Sequence, residues 1–303
     1  MRTAIIFNRI TQLKLPTLLE WAVIKEHKDA LCFLITAKRK ELCMKAKTRN
    51  ILIGVIILLA LLTVFSLIMI CIELKNSKRD IEAFDELYRL VSESVNEGEA
   101  DSSEELIEST DGKEESAIDR PVINLPLLIE QNEECIGWLW VEGTLINYPV
   151  MHTPSERHKY LHKNFHGDNS KSGVPFLDEA CTLDGDNLII HGHNMLNGTM
   201  FATLKYYLEK SFCDAHPTIE LQTVDGTATY EIYAVLLIKA DDVWYSFTKE
   251  DEEADLKFLI GHAKDSALYT TDITPDTNDK FITLSTCYGR NDEDRLTVIG
   301  VKK

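Results

Sequence analysis

The sequence has no CxxC pair, and its seven cysteines are spread thinly over 303 residues. Four of them, Cys135, Cys181, Cys213 and Cys287, fall after residue 74, far apart. That spacing argues against a structural zinc site and against a dense disulfide framework. Basic residues are also scarce in this region: 75–303 holds 21 Lys and Arg against 44 Asp and Glu, a net −23. Such a balance argues against nucleic acid as a partner, and a solvated acidic surface accounts for most of it. Aromatic residues are missing from Ser92–Arg120, which carries 11 acidic residues and one Lys. A segment of that composition buries too little apolar surface to offset its ordering entropy, so it reads as a flexible stalk.

Charge is wholly absent from Ile51–Ile72, a run of 22 residues with no polar stripe. At about 1.5 Å per residue it spans roughly 33 Å, enough for the core of a bilayer. No small-residue cleavage site follows, so the run reads as an uncleaved signal anchor rather than a cleaved leader. Residues 1–50 hold 11 Lys and Arg against 4 Asp and Glu, with Lys45, Lys47 and Arg49 directly before the run. The positive-inside rule then puts the N-terminus in the cytoplasm and the C-terminus outside. Met44 opens a short basic leader of the kind that starts a bacterial signal anchor, and the expectation is that translation starts there.

Beyond the span, Ile81, Phe84, Tyr88 and Val91 mark one face of a helix over Arg79–Val91. Ile123–Gln131 predicts a short helix. There follow eight β-rich runs separated by turn signals: GWLWVEG, TLINYPVM, VPFLD, NLIIHG, TIELQTV, TATYEIYAVLLI, KFITLSTC and RLTVIGVK. That many short strands in so short a stretch point to a β-barrel or sandwich. Two helical interruptions stand out, Met200–Tyr207 and Glu250–Ala263, the second with Leu256, Phe258, Leu259 and Ala263 as its inner face.

Chemistry concentrates in the last two strands. Alternation puts Phe281, Thr283, Ser285 and Cys287 on one face. Cys287 precedes a seven-residue loop, Tyr288–Asp294, and Arg295 opens the next strand, so an antiparallel pair brings the two to the same end. A thiol beside a guanidinium is a poised nucleophile with donors for an oxyanion. Packing alone also accounts for a rim arginine and a small buried cysteine, and the spacing leaves both readings open. Arg290, mid-loop after Gly289, is expected to be mobile and to contribute little. His193 follows Gly192 where the strand NLIIH stops and is the best-placed acid/base; His191 reads as a packed histidine. His158, His162 and His166 have i, i+4, i+8 spacing, but Gly167 and its polar neighbours suggest a loop, so no metal and no cofactor is expected. Cys181 lies among polar loop residues and is expected near the surface; Cys135, Cys181 and Cys213 are not expected to act.

TLSTC with the Arg of DEDRLTVIG resembles the nucleophile and arginine strands of sortases, and NLIIHGHNMLNGTMF resembles their histidine segment. GWLWVEGTLINYPVM, the Tyr160–Leu161 pair and GVPFLD are similar to class B sortases in particular, and the resemblance covers 121–303. It implies an eight-stranded barrel, mainly β, with added N-terminal helices and a helix before the nucleophile strand, all behind a single transmembrane helix. It implies Cys287 as nucleophile, His193 as general acid/base and Arg295 as holder of substrate and oxyanion, with Leu161, Ser285 and Thr286 as substrate contacts. The reaction implied cleaves a sorting-signal peptide between Thr and Gly or Asn, and passes the acyl group to an amine of a cell-wall precursor or a pilin. The chain departs from the family pattern in placing His191 where Tyr is usual and Glu156–Arg157 where Asp-Asn is usual. The domains expected are a cytoplasmic tail (1–50), the anchor (51–73), an amphipathic helix and stalk (74–120) and an extracellular catalytic domain (121–303). Two rival classes remain: an L,D-transpeptidase, whose cysteine segment has Gly rather than Thr286 before the Cys, and a silent surface-binding module on the same barrel.

Overall fold

The structure is a computed structural model that describes residues 26–29, 31, 32, 46–98, 121–248, 253–289 and 293–303. It divides into two units, Met1–Leu74 and Lys75–Lys303. Helix α1, Ala46–Gly98, begins in the first and ends in the second. In the first unit its residues form an all-round apolar surface: Ile51, Leu61 and Phe65 are all more than 60% exposed. A stretch within Asn50–Ser92 has a mean hydropathy of 3.2 with none of it buried, and is long and apolar enough to cross a membrane.

In the second unit α1 packs on its neighbours through Phe84, Leu87, Tyr88 and Val91, spaced for one helical face. Phe84 meets Tyr148 edge-on at 5.3 Å between centroids, and Tyr88 lies 5.9 Å from Trp138. Ile81, expected on this face, is exposed, and Leu87 is buried in addition to the expected set. One turn before Phe84 the contact turns polar. Asp80 Oδ2 accepts from the hydroxyls of Ser170 at 2.9 Å and Ser172 at 3.0 Å.

Of the segment expected as a stalk, 99–120 lies outside the described residues, and Ser92 to Gly98 continue α1. The flanks of this segment meet: Asn124 N donates to Val91 O at 3.1 Å. The chain therefore comes back to the helix it left, and α1 is docked before the acidic stretch begins. Helix α2 is Leu125–Gln131, two residues shorter at its start than expected, because the Asn124 side chain caps it by accepting from Leu127 N. Ile123, just before the cap, and Leu128 share one buried cluster, the arrangement of a hydrophobic staple.

Nine strands follow: β1 Cys135–Trp140, β2 Asn147–Met151, β3 Phe176–Leu177, β4 Asn187–His191, β5 Thr218–Thr223, β6 Gly226–Lys239, β7 Ala267–Thr270, β8 Phe281–Cys287 and β9 Asp294–Lys302. Their order is β5-β1-β2-β3-β4-β8-β9-β6-β7, and β5 also pairs with β6. That extra pairing closes eight strands into a barrel and leaves β7 as a flap on β6. All eight expected runs are strands of the barrel. The ninth, β7, follows α4 (Glu253–Ser266) without a turn signal and is only four residues long, so no pattern announced it.

Leu139, Val150, Ile190, Ile232, Leu284 and Val298 fill the interior with the one-sided turns of Phe201–Leu208, where a 3₁₀ helix stands over the stretch expected as Met200–Tyr207. Helix α3, Lys210–Ala215, follows it. A second cluster lies under α4 and holds Trp244, Phe247, Leu256, Leu259, Ala263 and Phe281. Phe258, expected on the inner face of α4, is 61% exposed and stacks on His262 instead. The buried positions 256, 259 and 263 follow helical spacing, and 258 falls off that face.

Candidate active site

Strands β8 and β9 pair antiparallel, and their terminal register partners are Cys287 and Arg295. The ladder is extended by one bond, Tyr288 N to Asp294 O at 2.9 Å, which ties the base of the loop. Arg290 lies outside the described residues. Both Cys287 and Arg295 are half-buried, and Arg295 Nη1 donates to Asp294 O at 3.1 Å. Thiol and guanidinium therefore stand at one rim, on the strand face expected from alternation.

Two residues down that face, Ser285 pairs with Thr297. Both hydroxyls bond the Tyr245 hydroxyl, at 2.6 Å and 2.8 Å. Tyr245 comes from a 3₁₀ turn, Val243–Ser246, between β6 and α4. Its neighbour Trp244 donates Nε1–H to Thr283 Oγ1 at 3.0 Å. Burial pushes the Tyr245 phenol up, while its bonds to Ser285 and Thr297 and the nearby Arg295 charge work against that. The insertion before the last two strands thus grips β8 at alternate residues below Cys287. Nothing in the sequence VWYS signals this role.

Strand β4 runs parallel to β8, with His191 opposite Ser285. The register continues past the strand end: Gly192 N donates to Ser285 O at 3.1 Å, Thr286 Oγ1 to Gly192 O at 2.7 Å, and Asn194 Nδ2 to Cys287 O at 3.0 Å. His193 is thereby held at the level of Cys287 on the neighbouring strand. A Cβ at Gly192 would come within 2.7 Å of the Phe201 ring, so only glycine fits this approach. The His193 Nε2 lies 2.8 Å from the carbonyl oxygen of Leu161. A carbonyl only accepts, so Nε2 carries the hydrogen, and in the neutral ring Nδ1 is an acceptor. Burial lowers the His193 pKa; the Leu161 carbonyl opposes this and the neighbouring His162 adds to it.

Leu161 ends a 3₁₀ turn, Lys159–Leu161, that is clamped from below. The Glu134 carboxylate accepts from Tyr160 Oη at 2.5 Å and from Lys159 Nζ at 2.7 Å. Asn132 Nδ2 donates to Tyr160 Oη at 2.9 Å. Although burial acts to raise the Glu134 carboxyl, these two donors bring it below its ordinary value. Glu156 and Arg157, at the position where the family pattern has Asp-Asn, turn to Lys159 (3.7 Å) and Glu179 (2.6 Å).

Of the three candidate substrate contacts, Leu161 is half-buried, whereas Ser285 and Thr286 are buried with their hydroxyls bonded inside the protein. His191 Nε2 meets Asp178 Oδ2 at 3.0 Å, and its ring stacks on Tyr245. His158, His162 and His166 share no helical face. Their rings lie against Phe176, His193 and Phe165 respectively, and no group of three or more potential metal ligands occurs among the described residues. Cys181 is 1% exposed, contrary to expectation, because its side chain points into the barrel interior rather than to the loop. Burial pushes the thiols of Cys135 and Cys181 up to about 12 and raises that of Cys213.

The family model of the sortase domain matches residues 139–303. Sortase B of Listeria monocytogenes is 33% identical over 167 residues, which cover 54% of this chain and 67% of that protein. The X-ray structure of Clostridium perfringens sortase B is 31% identical with a TM-score of 0.56, covering 59% of this chain and all of that one. A Staphylococcus aureus sortase B–substrate complex is 26% identical with a TM-score of 0.55, covering 59% of this chain and 83% of that one.

Proposed function

We propose, from the premise that this chain belongs to the sortase family as a class B cysteine transpeptidase, that Cys287, His193 and Arg295 carry the reaction. With His193 protonated on Nδ1 as well as Nε2, the Cys287 thiolate attacks the carbonyl carbon of the Thr in a sorting-signal peptide, between Thr and Gly or Asn. The carbonyl oxygen takes up negative charge, and the guanidinium of Arg295 supplies fixed donors to it. Collapse of the tetrahedral species breaks the C–N bond; the leaving amine takes the proton from His193 Nδ1, and a thioester remains on Cys287. An amine of a cell-wall precursor or pilin then attacks the thioester, His193 takes back the proton, and the thiolate is released. The carrying observation is the Cys287–Arg295 register pair with His193 fixed beside it by Leu161. The direct test incubates the full chain in detergent with a panel of sorting peptides and a primary amine. Mass spectrometry should find the acyl group on Cys287 and the new amide in solution; acylation at another cysteine would overturn the assignment.

The same reading makes α1 a membrane anchor, with the N-terminus inside and the catalytic unit outside. Its apolar stretch and the basic residues before it support this. On intact cells a membrane-impermeant maleimide should label Cys287. Labelling of Cys287 only after the cells are permeabilised would reverse the orientation.

A further inference from the structure

The imidazole of His193 has two neighbours from one dipeptide. Leu161 offers its carbonyl to Nε2 at 2.8 Å, and the ring of His162 lies 5.7 Å away, tilted by 31°. The His162 backbone is itself held, because its carbonyl accepts from Ser170 N at 3.0 Å. Ser170 in turn is anchored by Asp80 of α1. The His162 side chain is exposed, whereas His193 is half-buried. From the other flank β8 brings Cys287 to the level of His193, and β9 brings Arg295 one strand further on.

We propose that His162 is a positioning residue for the transpeptidation: with Leu161 it forms a two-point clip on His193, and its charge governs when His193 accepts a proton. The proposal rests on the reading of His193 as the acid/base. When His162 is protonated, a second positive charge on His193 is opposed. When His162 is neutral, that opposition disappears and His193 is free to protonate a leaving amine. A unit charge at this separation moves a neighbour's titration by about half a pH unit even with water-like screening.

The test uses the full chain in detergent with isotopically labelled histidine, and compares His162→Gln with His162→Lys. His193→Gln identifies the His193 signal. Gln removes the charge, so the NMR midpoint of His193 should move up; Lys makes the charge permanent, so it should move down. The limb of the peptide-cleavage pH profile that follows His193 should move in the same two directions. A role confined to packing predicts no such opposition. Midpoints that stay put, or move the same way in both variants, overturn the proposal. If the parent cleaves no sorting peptide while both midpoints move as expected, the coupling is supported and the transpeptidase role of His193 is what fails.

Discussion

Cys287 and Arg295 are the terminal partners of the β8–β9 ladder, so the distance between their backbones is set by sheet geometry and not by the loop that joins them. Replacing Cys287 with Ala should abolish cleavage and transfer and leave folding intact, since the proposed thioester then has no sulfur to form on. Arg295→Ala should lower turnover by about a hundred- to a thousand-fold, the usual cost of about 2.7–4 kcal/mol for one fixed oxyanion donor. Arg295→Lys should recover little of it, because a point charge lacks the planar fork. Peptide-cleavage kinetics in which the Lys variant matches the parent would show that only the charge of Arg295 matters.

The Tyr245 hydroxyl ties the next pair on that face, Ser285 and Thr297, which sits directly below the reacting rim. Tyr245→Phe preserves the ring stacked on His191 and deletes only the oxygen. Two buried hydroxyls then lose a partner, at a cost of about 1–3 kcal/mol. Thermal unfolding should show a lower midpoint, and turnover should fall. An unchanged melting temperature would mean that Ser285 and Thr297 satisfy each other.

The segment 99–120 can be removed if its flanks already meet. The described contacts that hold α1, Asn124 N to Val91 O and those of Asp80, Phe84 and Tyr88, all lie outside this segment. Excision of 99–120, with Gly98 joined to Pro121 through a short Gly-Ser linker, should leave the melting temperature and peptide cleavage close to the parent's. Loss of fold or activity would make the segment part of the catalytic unit.

What could be read in the sequence was whatever repeats with a period or sits at a fixed offset. β-rich composition between turn signals located all eight barrel strands, and a loop of known length set Cys287 against Arg295. Contacts made across long loops have no such signature. The bond from His193 to the Leu161 carbonyl joins residues 32 apart, and Tyr245 reaches Ser285 over 40. A backbone carbonyl leaves no trace in residue identity, and Tyr245 sits beside Val243 and Trp244 in a short run that reads as core. Cys181 misled for the related reason that polar neighbours in sequence say nothing of which way one side chain turns. Single misplacements on amphipathic faces, Ile81 and Phe258, came at the edges of the apolar stripe, where one residue decides between partner and solvent.

Two histidines make stability depend on pH in a direction that can be worked out. His193 is half-buried, and burial lowers its pKa from the ordinary 6.5. His152 is lowered too, chiefly by burial, with Asp178 opposing, and its Nε2 is buried with no hydrogen-bond partner among the described residues. In each case the folded state prefers the neutral ring. Just below 6.5 the unfolded chain therefore binds protons that the folded protein refuses, and stability falls as pH drops through that window. Above the window both states hold neutral rings and the dependence vanishes. The carboxyls of Asp178 and Glu134, held below their ordinary values, add their own loss only at more acidic pH. The melting temperature of the parent should accordingly fall between pH 7 and pH 5. His193→Gln and His152→Gln remove one titrating ring each, and Gln at 193 keeps a donor for the Leu161 carbonyl. Each variant should show a smaller fall than the parent over the same interval, and the double variant a smaller one still. A double variant that loses as much stability as the parent would place the acid sensitivity elsewhere and leave these two rings without a part in it.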